Sequence, residues 1–221
     1  RPALQLIKTK PGNKIVSSCF ILVRGDEKIA MGDCAINIDP SEDDLVEIAI
    51  ESAKTAKVFG IDPKVAMLSY STLGSGKGPS VTKVANATKK IKEAAPDLAV
   101  EGEIQFDASV SPDVAGIKCP GSPVAGQANT FIFPDINAGN IGYKIASRLG
   151  GYTAVGPVLQ GLNAPINDLS RGCTAEEVYS MSIVTAALSV PEEEQQVDMV
   201  ELETIVRTVV ETFIAAKKLK K

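Results

Sequence analysis

Apolar residues along the chain follow two alternating rhythms. Short runs rich in β-branched residues at 15–23, 65–70, 99–106, 131–133 and 152–155 predict strands, and between several of them the apolar positions repeat by three and four, as on a helix. In the stretch 45–59, Leu45, Ile48, Ala49, Ala53, Ala56 and Phe59 share one face. Ser41 and Asp44 stand ahead of that face at capping-box spacing, Glu42, Asp43 and Asp44 suit the positive end of a helix dipole, and Gly60 ends the pattern. From Ser80 a second helix presents Val81, Val84, Ala87, Ile91 and Ala94 on one side, and a third pattern covers 174–188. Strands alternating with helices predict an α/β fold, a mostly parallel sheet covered by helices. Residues 116–129, rich in Gly, Pro, Ser and Ala, read as an irregular connection between sheet elements. After Val190-Pro191 three glutamates precede Met199, Leu202, Val206, Val209, Phe213 and Ala216, which predicts one amphipathic helix over 197–216, packed on the body or on a partner subunit.

Composition narrows the chemistry. A chain of 221 residues, 44% hydrophobic and 23% charged, is that of a globular protein with one domain, or one domain and a fragment. Its formal charge of −4 supplies no overall positive field for nucleic acid or an anionic membrane, so the expected partner is a small molecule. No apolar run is long enough to span a bilayer, and the chain opens on Arg-Pro with neither a signal segment nor an initiator methionine, which reads as a fragment of a cytoplasmic protein. Cys19, Cys34, Cys119 and Cys173 are scattered, without metal-binding or disulfide spacing. The chain has no histidine. A Ser-His-Asp triad, a Cys-His pair and a histidine-ligated zinc are therefore excluded within it, and acid–base work falls to carboxylates, lysines, tyrosines or a cysteine.

Three polar loops each join a predicted strand to a predicted helix. In Ser69-Tyr70-Ser71-Thr72-Leu73-Gly74-Ser75-Gly76-Lys77-Gly78-Pro79-Ser80, hydroxyls and amides stand ready for an anion, with Ser71, Thr72 and Gly74 as candidate contacts. A phosphate-binding P-loop is not among the readings, because Gly78 stands where Ser or Thr would hold magnesium. The alternative is a surface turn. Phe131-Ile132-Phe133-Pro134-Asp135-Ile136-Asn137 contains Asp135, Asn137 and, shortly after, Asn140, which either cap a helix or face a ligand. The loop 156–173 holds Asn167-Asp168-Leu169-Ser170-Arg171-Gly172, in which Arg171 has the geometry to grip two phosphate oxygens or else pairs with Asp168. Three such loops at one end of neighbouring strands outline a single crevice, where open α/β sheets take their ligands.

Together these segments resemble the phosphate acetyl/butyryl transferases. The resemblance is carried in order by Arg1-Pro2-Ala3-Leu4-Gln5, Val16-Ser17-Ser18, Asp33-Cys34-Ala35-Ile36-Asn37, 65–72, Ser122-Pro123-Val124-Ala125-Gly126, Phe131-Ile132-Phe133-Pro134-Asp135, Gly156-Pro157-Val158-Leu159-Gln160-Gly161 and 167–172. It implies a three-layer αβα fold like that of isocitrate and isopropylmalate dehydrogenases, and reversible acetyl transfer between coenzyme A and phosphate in a ternary complex, without metal or prosthetic group. It also implies a homodimer engaged in acetate metabolism. Residues 1–190 would be the C-terminal major part of such an enzyme, whose activity draws on an N-terminal stretch, and 191–221 an added amphipathic helix. By the same resemblance Arg171 binds phosphate, with Asn167 and Asp168 beside it, Ser170 donates a hydrogen bond near the thiolate or oxyanion, and Arg1 anchors substrate. Glu177 stands where the family has an aspartate base. Two other outcomes stay open: a regulatory domain that binds acetyl-CoA without reacting it, and a butyryl transferase with a larger acyl pocket.

Overall fold

The computed structural model describes residues 2–169 and 173–189. Its sheet has six strands in the order β4-β3-β5-β2-β1-β6, formed by β1 (Ser17–Arg24), β2 (Glu27–Gly32), β3 (Val65–Leu68), β4 (Val100–Ile104), β5 (Thr130–Ile132) and β6 (Thr153–Gln160). β4, β3, β5 and β2 pair in parallel, and β1 is antiparallel to both of its neighbours, β2 and β6. Five strands therefore point one way and β1 points the other. The mostly parallel α/β architecture expected from the sequence is present.

β1 and β2 form a hairpin that the hydrophobic pattern alone does not reveal, since the two-residue turn Gly25-Asp26 hides in a charged run. Arg24 pairs with Glu27 across it, and Gly25 supplies φ +59°.

Side chains alternate from strand to strand and fill two cores. On one face Phe20, Leu22, Met31, Ala66, Leu68 and Phe131 pack with Ala108 and Cys119, beneath α4 (Phe106–Val110), α5 (Pro112–Lys118) and α6 (Ile136–Arg148). On the other, Val65, Met67, Val100 and Ile132 meet Leu45, Ile48 and Ala49 of α2 (Glu42–Val58) and Val84, Ala87 and Ile91 of α3 (Pro79–Ala94). The apolar faces read at helical spacing are buried except at the end of α3, where Ala94 is exposed, and the result is three layers. A short helix, α1 (Pro2–Ile7), precedes the sheet, and α7 (Ala175–Ala187) sets Met181 and Val184 on Val158 of β6.

Two elements differ from the sequence reading. β6 continues to Gln160, through Gly156-Pro157, where the sequence suggests a loop; the pairing with β1 is irregular between Cys19 and Ile21, and that break accommodates a proline with no N–H to donate. The segment before the 119–129 connection also folds into α4 and α5, with Pro112 at the first turn of α5 and Ser111 as its cap. The predicted helix over 197–216 lies outside the described residues. Along α6, Ile141, Ile145 and Leu149 form an exposed stripe, 58%, 53% and 85% accessible. Among the described residues no helix is long and apolar enough to cross a membrane.

Candidate functional site

Because five strands run in the same sense, their C-terminal ends share one edge of the sheet, and the three polar loops singled out in the sequence all lie along it. Two follow the adjacent strands β3 and β5, and the third lies apart, after β6. The loop after β3 and the loop after β6 are separated by four strand spacings, about 19 Å at ~4.8 Å each. Ser71, Thr72 and Gly74 therefore stand well away from Asn167 and Asp168, at the other end of the same edge.

The loop after β3 is tied down by an acid that sequence reasoning missed. Glu103, at the end of β4, is 4% exposed. Its Oε1 accepts the Ser71 hydroxyl at 2.9 Å and the Gly74 amide at 2.6 Å, while its carbonyl takes the Leu73 amide at 3.0 Å. Ser71 Oγ accepts the Gly76 amide at 2.8 Å, and Thr72 Oγ1 accepts the Gln105 amide at 3.0 Å. Ser71 and Thr72 are both buried. Their hydroxyls and the Gly74 amide thus shape the loop, and its outward surface is made by the side chains of Tyr70, Leu73 and Lys77.

At the centre of the edge, the turn after β2 is organised by Asp33, 2% exposed. Its carboxylate accepts the amides of Ala35 (2.9 Å), Ile36 (3.2 Å) and Asn37 (3.0 Å), the Asn37 side-chain amide (2.6 Å) and the Ser18 hydroxyl. The first turn of α6 sits directly on this segment: a Cβ on Gly139 would lie 2.4 Å from the Asp33 carbonyl oxygen, so only glycine fits there. Asp135 caps α6 by accepting the amides of Asn137 and Ala138, and Asn140 donates to the Cys34 carbonyl. Asp135 is thus the cap, whereas Asn140 ties α6 to the turn after β2 instead of capping it.

The end of β6 is fixed by Gln160, buried and bonded to Ser17 (3.0 Å), Thr55 (2.6 Å) and the Glu51 carbonyl (3.1 Å). Beyond it Asn167 spans the return, accepting the Leu159 amide at 2.8 Å and donating to Thr185 of α7 at 2.9 Å. Asp168 is exposed and accepts the Leu169 amide. α7 begins on a capping box: Thr174 Oγ1 accepts the Glu177 amide at 3.2 Å, and Glu177 Oε2 accepts the Thr174 amide at 2.7 Å. Glu177 is exposed, and its second carboxylate oxygen accepts no bond among the described residues. An open cavity of about 410 Å³ lies between this return and α7, lined by Leu169, Val178, Met181, Ser182 and Thr185 among others. Arg1, Ser170 and Arg171 lie outside the described residues.

All four cysteines are free thiols, and Cys19, Cys34 and Cys119 are buried. Burial pushes the Cys19 thiol up to about 12 and raises Cys34 and Cys119 as well. These three are packing residues with little thiolate character at neutral pH. Among the described residues no cluster of three or more His, Cys, Asp or Glu side chains is arranged to hold a metal ion.

Comparison with known proteins identifies this arrangement. The family model described as "Phosphate acetyl/butaryl transferase" matches residues 1–186. The phosphate acetyltransferase of Bacillus subtilis (strain 168) is 60% identical over 187 residues, which are 85% of this chain and 58% of that protein. The solved EutD phosphotransacetylase from Staphylococcus aureus superimposes with a TM-score of 0.83 at 57% identity, over 86% of this chain and 59% of the other. A branched-chain phosphotransacylase from Enterococcus faecalis V583 superimposes with a TM-score of 0.66 at 25% identity, over 81% of this chain and 64% of the other. The chain thus spans somewhat under three-fifths of the length of the curated relative it matches.

Proposed function

From the premise that the chain belongs to the phosphate acetyl/butyryl transferase family, we propose that it is the C-terminal major part, over residues 1–190, of an enzyme that moves an acetyl group reversibly between coenzyme A and inorganic phosphate. In the direction that consumes acetyl phosphate, Glu177 takes the proton from the CoA thiol, the thiolate attacks the acetyl carbonyl, and Arg171 neutralises the phosphate that leaves. Ser170 donates a hydrogen bond to the developing oxyanion, and Arg1 anchors substrate. Asn167 and Asp168 shape the return that carries Ser170 and Arg171, while Ser71, Thr72 and Gly74 frame the loop at the far end of the ligand edge. CoA and acetyl-CoA are substrates in this scheme, with no metal or prosthetic group and a cytoplasmic setting.

The observation that carries the reading is the position of Glu177. It sits in the first turn of α7, five residues after Gly172, with one carboxylate oxygen held by the Thr174 amide and the other accepting no bond among the described residues. A carboxylate fixed by one oxygen keeps the second for a proton, which is what a general base requires. The identity of 60% to an acetyltransferase against 25% to the branched-chain enzyme favours acetyl as the acyl group.

The test is a thioester assay on the intact gene product with acetyl, propionyl and butyryl phosphates, run on wild type and Glu177→Gln. Acetyl phosphate is expected to be preferred, and E177Q to lose roughly 10²–10⁴-fold in kcat. Near-normal turnover by E177Q would remove Glu177 as the base. Binding of acetyl-CoA without any thioester formation would favour the regulatory-domain reading, and a butyryl preference the larger acyl pocket.

We assign the dimer implied by the resemblance to the Ile141–Ile145–Leu149 stripe of α6, whose exposed apolar side chains support that reading. A second copy meeting it predicts a dimer by sedimentation that Ile145→Asp dissociates. A wild type that sediments as a monomer would end that assignment.

A further inference from the structure

Tyr70 is 61% exposed on a loop otherwise made of serines, glycines, a threonine, a leucine and a lysine. It does not swing freely. Its hydroxyl donates to the Lys77 carbonyl at 2.9 Å, closing the loop across seven residues. Its ring lies against two glycines: a Cβ on Gly76 would stand 3.0 Å from the ring's Cε2, and one on Gly78 2.7 Å from the hydroxyl oxygen. The ring is thus pinned at its Cε2 edge and at its hydroxyl end, while 61% of the residue stays open to solvent. Glu103 holds the loop beneath it through Ser71 and Gly74. Leu73, 52% exposed with φ +46°, and Lys77, exposed and without an ion pair among the described residues, belong to the same loop.

We propose that the exposed face of Tyr70 stacks on the adenine ring of coenzyme A, with the Lys77 ammonium beside the nucleotide's phosphates. An exposed aromatic ring, tethered by its hydroxyl on a loop that also carries a lysine, matches a planar base that carries anionic groups. Distance argues the same way. The strand that leads into this loop lies about four strand spacings, ~19 Å, from β6, a span that suits the far end of a long thiol substrate whose reacting end lies by the β6 return. At this end of the edge, ring area and charge recognise the ligand, and the hydroxyls of Ser71 and Thr72 hold the loop in shape through Glu103 and Gln105.

This assignment rests on the acetyltransferase reading and is tested on the intact gene product with two thiols, CoA and pantetheine, the latter lacking the nucleotide. In Tyr70→Ala the KM for CoA is expected to rise about tenfold, the equivalent of ~1.4 kcal/mol. Its kcat, its KM for acetyl phosphate and its rate with pantetheine are expected to stay within twofold of wild type. Tyr70→Phe, which keeps the ring face, is expected to recover most of the CoA affinity, whereas Tyr70→Leu, of similar bulk without a π face, is not. An active wild type whose CoA KM is unchanged in Y70A overturns the proposal, as does a loss in Y70A that is equal for CoA and pantetheine. No thioester formation by wild type with either thiol would instead sink the acetyltransferase reading itself.

Discussion

Replacing Asp33 with alanine is expected to lower the free energy of unfolding by about 3–5 kcal/mol, because several buried donors lose their acceptor at about 1–3 kcal/mol each before the turn relaxes. The carboxylate is 2% exposed and gathers three backbone amides, the Asn37 side-chain amide and the Ser18 hydroxyl. Without it, those donors face one another across a gap whose walls are β1, the turn after β2 and the first turn of α6, and α6 cannot slide in to fill it because Gly139 already touches the Asp33 carbonyl. At ~2–4 °C per kcal/mol for a chain of this size, the melting temperature should fall by about 10 °C. Asp33→Asn keeps the volume but turns an amide group toward donors, so it should recover only part of the loss. Thermal and urea unfolding followed by circular dichroism measure both variants. A cost below about 1 kcal/mol for D33A would mean that the turn is held by its packing rather than by the carboxylate.

The layers of the fold were legible because burial and periodicity report the same thing. Leu45, Ile48 and Ala49 of α2 and Val84, Ala87 and Ile91 of α3 were readable as one-sided faces, and those faces are the buried ones. What stayed hidden were residues whose meaning depends on a neighbour distant in sequence. Glu103 looks like any acid in an alternating strand until Ser71, 32 residues earlier, is laid against it. Asp33 lies in a segment that carried the family resemblance, yet nothing in its spacing announces a buried carboxylate, and Gln160 gains its role only when α2 comes to rest on it. The loops were recognisable one by one as polar strand-to-helix connections. Their separation along the edge was not, because strand order is fixed by pairing and not by sequence order: β1, first in the chain, intervenes between β2 and β6.

That separation makes a sharp expectation for Arg171. If its guanidinium grips the transferring phosphate, Arg171→Ala should reduce kcat/KM for acetyl phosphate by roughly 10²–10³-fold, the cost of removing a charged partner from the transferring group. Arg171→Lys keeps the charge but loses the paired N–H geometry, so it should recover only part of that loss. Affinity for CoA, whose nucleotide is proposed to rest on Tyr70, should change little. R171A and Y70A therefore act on opposite substrates, and their effects should add in the double variant to within about 0.5 kcal/mol. Steady-state kinetics with each substrate varied in turn decide the matter. If R171A keeps acetyl-phosphate turnover within threefold of wild type, the phosphate is held by another group. If R171A and Y70A both raise the KM for CoA and couple strongly, the two ends of the edge hold one part of the substrate between them, and the extended binding mode is wrong.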